Sequence, residues 1–430
     1  MVTPSRDTAG KAVAGWTLTV LFLSNVMNVG DRMLLGMVAE PVKLELGLSD
    51  SQLSLAQGFL FVLSNLAAGL VIARLVDQGN RKRMLAAGIA TWSVATAATG
   101  LAEDFTTLAI ARIGVGLGEA TVFPTAMSMI ADLFRPTSRG KAIAIYQSSG
   151  MVGMTAGTLI ASRLATSLGW RWMFGVCGVA GLFLALLALL TVPEPKRAPL
   201  AKPPVASAYL QELLAACRRV LQRPGFIFLT LAFGISAIPG AVLGGWAPAF
   251  FQRSHTMPLD QIGLVLASAM GIGGVAGTLG AGAMADWLVS RSGSNAEMLR
   301  IPLLTLPLTA PLTAFFALTP NAPGAIAAVF GLSLFLSCAV APCINYAITE
   351  AHPRDRAVTS AIMLAATGVT GGALGPFLVG LVSDILAVEF GRDSLRYAIT
   401  AMAVTPLIAT GFLWAAVRHY SWRPRVLRTA

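Results

Sequence analysis

What most constrains this chain is how rarely charge interrupts its apolar runs. Mainly hydrophobic stretches lie near 13–36, 52–76, 84–101, 105–130, 141–165, 171–192, 225–251, 261–288, 300–319, 323–349, 357–387 and 394–417. A helix needs about 20 mostly apolar residues to cross a bilayer, and each run reaches or approaches that length. Only 12% of the 430 residues are charged and 55% are hydrophobic, whereas soluble domains carry about 25% charged residues. So little charge cannot coat a water-soluble surface of this size. That excludes an ordinary cytosolic or secreted enzyme, and equally a disordered or fibrous chain. The expectation is an all-α membrane protein with twelve transmembrane helices, each satisfying its own backbone polar groups. The first run lacks a small-residue cleavage site and is read as a retained span, not a signal peptide.

The longest polar interval divides the spans six and six. The reading is an N-terminal six-helix bundle (1–192), a cytoplasmic linker (193–224) and a C-terminal six-helix bundle (225–430). The linker opens with Pro193, Pro195, Pro199, Pro203 and Pro204, which forbid regular helix. Ala206 to Gln222 then reads as a short amphipathic helix, with Leu210, Leu213, Leu214 and Cys217 on one side. Such a helix could lie on the membrane surface. If both termini face the cytoplasm, 23 of the 31 Lys and Arg residues fall on that side, 6 fall opposite, and Arg32 and Arg112 lie within spans. The acids split evenly between the two sides. This basic bias orients the chain and accounts for the net charge of +11 without a nucleic-acid partner.

The halves echo each other. Asp77 and Arg81 follow the second span, as Asp286 and Arg291 follow the eighth. Pro136 and Arg139 follow the fourth, as Pro353 and Arg356 follow the tenth. Repeated six-span halves mark secondary transporters.

Charge inside a span is costly, about 2.5–3.5 kcal/mol at the bilayer centre by insertion scales. Four such residues stand out: Asp31 and Arg32 in the first span, Arg112 and Glu119 in the fourth. Arg112 and Glu119 are seven apart and share a helix face. Asn25, Asn28 and Arg32 form a stripe on the first span. Two acids and two bases sum to zero, so pairing across helices offsets part of the burial cost. One reading makes the four structural ion pairs, with Asp31 and Arg32 reaching out from a span end. The other assigns Asp31, Glu119 and Arg112 to proton coupling, with Arg112 holding the ionised Glu119 until protonation cancels the attraction. All four lie in the first half, so coupling is expected there.

Other patterns lead elsewhere or nowhere. Gly153 and Gly157, Gly240 and Gly244, Gly273 and Gly277, and Gly371 and Gly375 are spaced four apart and suit close helix packing. Gly271 to Ala276 matches a dinucleotide-binding pattern, but it lies within an apolar span with no preceding strand. No phosphate-binding G-x-x-x-x-G-K-[ST] loop occurs. The three histidines sit at span ends, and the four cysteines show neither a disulfide framework nor metal-ligand spacing. No catalytic constellation is present, so no enzyme activity, cofactor or metal is expected.

Arg112 to Glu119 (R-I-G-V-G-L-G-E), the loop around Asp77, and Gly169-Trp170-Arg171-Trp172-Met173-Phe174 resemble the major facilitator superfamily over nearly the whole chain. Ala73 and Gln78 depart from that family's loop signature, from which the resemblance implies a cytoplasmic gate at Asp77, Arg81, Asp286 and Arg139. Gly30-Asp31-Arg32, Gly47 to Gln52, Gly114 to Ala120, Phe250 to His255, Ser383-Asp384 and Asp393 to Tyr397 are similar to Spinster-like lipid transporters and their bacterial relatives. The resemblance implies the major facilitator fold of two pseudo-symmetric six-helix bundles, alternating access driven by protons, and coupling carried by Asp31, Arg112 and Glu119. It further implies a lysolipid or sphingosine-phosphate-like substrate.

The expectation is thus a proton-coupled secondary transporter of an amphipathic lipid, in a bacterial inner membrane with both termini cytoplasmic. Its partners are protons, an amphipathic or anionic small molecule and membrane lipids, and a monomer is expected. Candidate cavity-lining residues are Arg32, Asn25, Asn28, Tyr146, Gln147, Trp246, Asn345, Tyr346 and Thr370, for each of which interhelical hydrogen bonding is an equal reading. Alternatives are a small organic-anion/proton symporter or drug/proton antiporter, and a receptor or scaffold that transports nothing.

Overall fold

The computed structural model describes residues 6–194 and 206–421. Helix is the only regular secondary structure among them. Twelve rods correspond to the spans: α1 (Arg6–Met37), α2 (Leu60–Gln78), α3 (Arg81–Thr99), α4 (Phe105–Leu133), α5 (Pro136–Leu168), α6 (Trp170–Thr191), α7 (Pro224–His255), α8 (Leu259–Ser292), α9 (Arg300–Leu318), α10 (Ala322–Glu350), α11 (Arg356–Thr367 and Gly375–Phe390) and α12 (Ser394–Ala401 and Val404–Ser421). Eight segments are long and apolar enough by themselves to cross a membrane. Three rods, α2, α3 and α5, lie outside those segments, and α3 and α5 are the less apolar. Along them Ala, Gly, Ser and Thr replace Leu and Ile, the small residues that membrane helices use where backbones approach.

The described residues form two compact units. The first holds residues up to 194 together with 257–267, and the second holds 206–256 and 268–421. The boundary therefore falls within the polar interval, but the start of α8 groups with the first unit.

Turn chemistry explains several sequence motifs in the first unit. Gly47 ends a short helix (Ala39–Leu46) at φ 63°, a left-handed conformation that favours glycine. Ser49 and Gln52 then form a reciprocal capping box on the next helix. Glu45 accepts from Trp170 Nε1 at 2.6 Å and from Arg171 Nε at 2.8 Å, while Arg171 Nη1 donates to the Gly100 and Ala102 carbonyls. The Arg171 and Trp170 bonds hold the Glu45 carboxyl below its ordinary range. The tryptophan–arginine motif thus fastens three span ends together.

Packing between spans relies on glycine. A Cβ on Gly157 would stand 2.4 Å from Gly30 Cα, and one on Gly153 would stand 2.5 Å from the Val26 carbonyl oxygen. So α1 and α5 touch backbone to backbone. In the second unit, Gly277 takes the same role against Leu334 on α10. Gly240 and Gly244 meet no neighbour this close, so that pair does not serve close packing. The eleventh span breaks ahead of Gly375-Pro376, through a π turn at Gly368–Leu374.

The linker helix (Ala206–Leu221) forms as expected, with Cys217 half-buried. Leu214 is exposed, whereas Ala216 and Val220 are buried. Leu210 and Leu213 lie outside the residues whose side chains are described. Arg219 Nη2 donates to Asp355 Oδ1 at 2.8 Å, and Arg223 Nη1 donates to the Glu350 carbonyl. The helix therefore docks on the second unit at the α10–α11 connection.

Candidate functional site

The site grows from the glycines of α4. A Cβ on Gly116 would meet Ser64 Oγ at 2.1 Å and the Phe61 carbonyl oxygen at 2.6 Å, and one on Gly118 would meet Trp92 N at 2.5 Å. One glycine admits α2 and the other admits α3. Asn65 Nδ2 then donates to the Gly116 carbonyl at 3.1 Å, fixing α2 against α4. This close approach brings Arg112 and Glu119 inside a shell made by α1, α2 and α3.

Four charges meet there. Arg32 Nε donates to Glu119 Oε2 at 2.8 Å, and Arg32 Nη2 donates to Asn28 Oδ1 at 3.1 Å, one turn earlier on α1. Arg112 Nη1 stands 3.7 Å from Asp31 Oδ2. Asp31 Oδ1 accepts from Thr96 Oγ1 at 2.8 Å. Both guanidinium groups lie near the Phe61 ring, at 5.2 Å for Arg32 and 5.4 Å for Arg112, where the ring face attracts a cation.

This pairing differs from the one that helix spacing suggests. Residues seven apart share a face but sit about 10 Å apart along the axis. Arg112 therefore faces Asp31, and the nearest base to Glu119 is Arg32, which reaches across from α1. Exposure separates the two pairs. The Glu119 side chain is 0% exposed and its partner Arg32 is 41% exposed, while Arg112 and Asp31 are both buried. One cation thus faces open space while holding a buried acid.

A polar group on α1 and α5 adjoins the network. Asn25 Nδ2 donates to Ser149 Oγ at 2.7 Å, and the Tyr146 hydroxyl donates to Asn25 Oδ1 at 3.3 Å. Tyr146 is fully buried and Gln147, next along α5, is exposed. The second-unit candidates do not gather in this way. Trp246 is fully buried and spends its N–H on the Pro376 carbonyl at 2.9 Å. Tyr346 belongs to the apolar core of that unit, Asn345 is exposed, and Thr370 donates to the Ala366 carbonyl of its own helix.

The gate candidates also separate. Arg81 is fully buried, pairing with Asp132 and, at 2.9 Å, with Glu194. Lys82 N donates to Glu194 as well, at 2.8 Å. These bonds tie α3 to α4 and to the end of α6 within one unit. Arg139 Nη2 donates to the Ala131 carbonyl at 2.6 Å. Asp286 is exposed on α8, and Asp77 lies outside the residues whose side chains are described. Sequence reasoning missed Thr96 and Phe61. Neither carries a signal of its own, since α3 holds several threonines and the spans hold many phenylalanines.

Comparison with known proteins bears on what such a network serves. Residues 21–376 match the family model described as Major Facilitator Superfamily. An "MFS-type efflux pump" of Mycolicibacterium smegmatis is 30% identical over 422 residues, covering 97% of this chain and 96% of the relative. A "Probable L-galactonate transporter" of Escherichia coli is 27% identical, covering 88% and 85%. Among solved structures, a bacterial homolog to the human lysosomal transporter Spinster, inward-facing and unoccupied, is 25% identical with a TM-score of 0.84, covering 96% of this chain and 99% of that one.

Proposed function

The chain belongs to the Major Facilitator Superfamily and is a multi-pass membrane transporter resembling the Spinster-like proteins, and from that premise we propose that it carries an amphipathic anion by alternating access coupled to protons. The observation that supports this most is the Arg32–Glu119 pair, in which a 41% exposed guanidinium holds a carboxylate with no exposure of its own. At about 4 Å and an effective dielectric constant of 20, such an attraction is about 4 kcal/mol before solvation offsets. Protonating Glu119 cancels it and frees Arg32 for an anionic head group. Asp31 and Arg112 form the second coupling pair, with Thr96 orienting Asp31. Asn25, Asn28 and Gln147 are proposed to serve the substrate path in the first unit, with buried Tyr146 positioning Asn25. Arg81, Arg139, Asp77 and Asp286 are proposed to act at the cytoplasmic gate.

The substrate class follows the Spinster resemblance, a lysophospholipid or sphingosine-phosphate-like molecule. A small organic anion is the second reading, favoured by the similarity to a probable L-galactonate transporter. The 23-to-6 distribution of basic residues supports cytoplasmic termini, and a bacterial inner membrane and a monomeric carrier complete the proposal. The test is a proteoliposome assay with an imposed pH gradient and a panel of lysolipids and organic acids. Lysolipid-dependent proton movement that is lost in Glu119→Gln and Asp31→Asn is the expected result. Flux of short carboxylates alone would replace the lipid by the second reading, and absence of any flux would leave a receptor or scaffold.

A further inference from the structure

Two glycine seams leave a gap in the first unit. Gly153 and Gly157 bring α5 against α1. Gly178 and Gly181 do the same for α6 on α3: a Cβ on Gly178 would stand 2.6 Å from the Ser93 carbonyl oxygen, and one on Gly181 would collide with Ser93 Oγ. Neither seam has room for a methyl group, so the space left over lies between the two pairs. A cavity of about 160 Å³ occupies it, walled by Met27 and Leu34 of α1, Trp92 of α3, Ile160 of α5 and Val176 of α6 among others.

Three observations define its occupant. The first is polarity. The polar groups of the wall are already spent: Thr96 donates to Asp31 Oδ1, Ser93 donates to the Ile89 carbonyl, and Asp31 Oδ2 is buried against Arg112. What remains accessible is hydrocarbon and one thiol, Cys177. A bound water needs about 2–4 polar partners, so the cavity stays dry. The second is size: an apolar cavity of about 150 Å³ holds a molecule such as benzene, about six carbon atoms. The third is position. Ile160 and Val176 stand at the mouth, 50% and 41% exposed, and Val179 and Phe183 carry the same exposed apolar face along α6. The mouth is therefore continuous with the surface that this membrane protein turns to lipid, where acyl chains are the molecules at hand.

We propose that this cavity is a binding site for a bilayer lipid, which inserts a segment of one acyl chain, about six carbons long, between α5 and α6. An unfilled apolar cavity forfeits dispersion contacts around its lining, and a chain segment restores them without desolvating any polar group. Arg32 is not part of the wall. The site is thus separate from the proposed anion path and stands without the transport reading.

The experiment places the full chain in nanodiscs of phosphatidylcholine that carries a diazirine near the middle of one acyl chain. Irradiation forms carbene adducts, which peptide mass spectrometry maps to residues. Adducts on Phe183 and Leu186, both exposed on α6, report ordinary contact with surrounding lipid. Adducts on Met27 and Trp92 are expected as well, because a chain in the cavity reaches the walls that α1 and α3 supply. Ala180→Phe, at the exposed edge of the cavity, is expected to abolish the Met27 and Trp92 adducts and to leave Phe183 and Leu186 labelled as in the wild type. Wild-type labelling confined to the exposed residues of α5 and α6 would overturn the site, and that result depends on no variant folding. Met27 and Trp92 adducts that persist in a folded Ala180→Phe would mean that the chain arrives by another route, and would overturn it too.

Discussion

Asp31 and Glu119 are both buried acids, yet neutralising them leaves different partners behind. Without the Asp31 charge, Arg112 remains 1% exposed and faces an amide. Removing one member of a buried ion pair costs about 3–5 kcal/mol. Without the Glu119 charge, Arg32 is already 41% exposed and turns toward open space, so the loss is closer to about 1.5–3 kcal/mol, the scale of a hydrogen bond to a charged group. Asp31→Asn is therefore expected to lower stability well beyond Glu119→Gln, measured as thermal midpoints in the same lipid. Equal midpoints, or the reverse order, would mean that the two acids are partnered otherwise. The sequence already marked all four charges, because an ionised group within an apolar run is expensive wherever it points. It did not reveal the pairing, which depends on Arg32 reaching across from α1. Thr96 was also hidden, because a hydroxyl on a span satisfies itself as readily on its own helix, as Thr91 and Thr99 do.

At the scale of elements, contact between spans is set by what is missing from them. Lipid is as apolar as leucine, so helices in a bilayer associate through close backbone packing rather than hydrophobic burial. Gly157 is the tightest such point between α1 and α5, where an added methyl would overlap Gly30 Cα at 2.4 Å. Gly157→Ala is expected to destabilise by about 1–3 kcal/mol through overpacking, while Gly140→Ala, which meets nothing within 4 Å, is expected to be near neutral. The four-residue glycine spacing signalled this contact, but it signalled Gly240 and Gly244 equally. Spacing cannot say which neighbour a glycine faces.

The linker helix is held differently, by the Arg219–Asp355 ion pair beside the buried Ala216 and Val220. Arg219 holds the Asp355 carboxyl below its ordinary value of 3.8. A carboxylate whose value is depressed by folding contributes fully above 3.8 and loses that contribution as pH falls through the lowered value. Docking of the helix is thus expected to hold from neutral pH down through pH 5 and to weaken only in strongly acid solution. Arg219→Ala is expected to release it at neutral pH, seen as faster amide exchange over residues 211–221. Unchanged exchange in that variant would assign the docking to Ala216 and Val220 alone. The amphipathic pattern announced this helix but not what it packs on, because a surface helix and a docked helix share one periodicity.

For the whole molecule, the twelve-span architecture was legible because the hydrocarbon core imposes a length on every crossing element. Coupling is a property that neither a residue nor a span possesses. If Arg32 serves both Glu119 and an anionic head group, the proton and the anion compete for nothing and each removes the other's rival. Protonation of Glu119 frees the guanidinium, and an anion that takes the guanidinium leaves Glu119 better suited to a proton. Linkage requires the two effects to be equal, and couplings between sites commonly amount to about 5–150-fold. Binding of an anionic lysolipid is therefore expected to tighten as pH falls, and adding the lysolipid at fixed pH is expected to draw protons onto the protein. Isothermal titration in two buffers of different ionisation enthalpy reads both from one set of experiments. In Glu119→Gln, where the side chain carries no charge at any pH, binding is expected to stay at the tight, low-pH value throughout. Affinity that weakens on acidification would mean that proton and substrate displace one another, and would move the chain from co-transport to exchange.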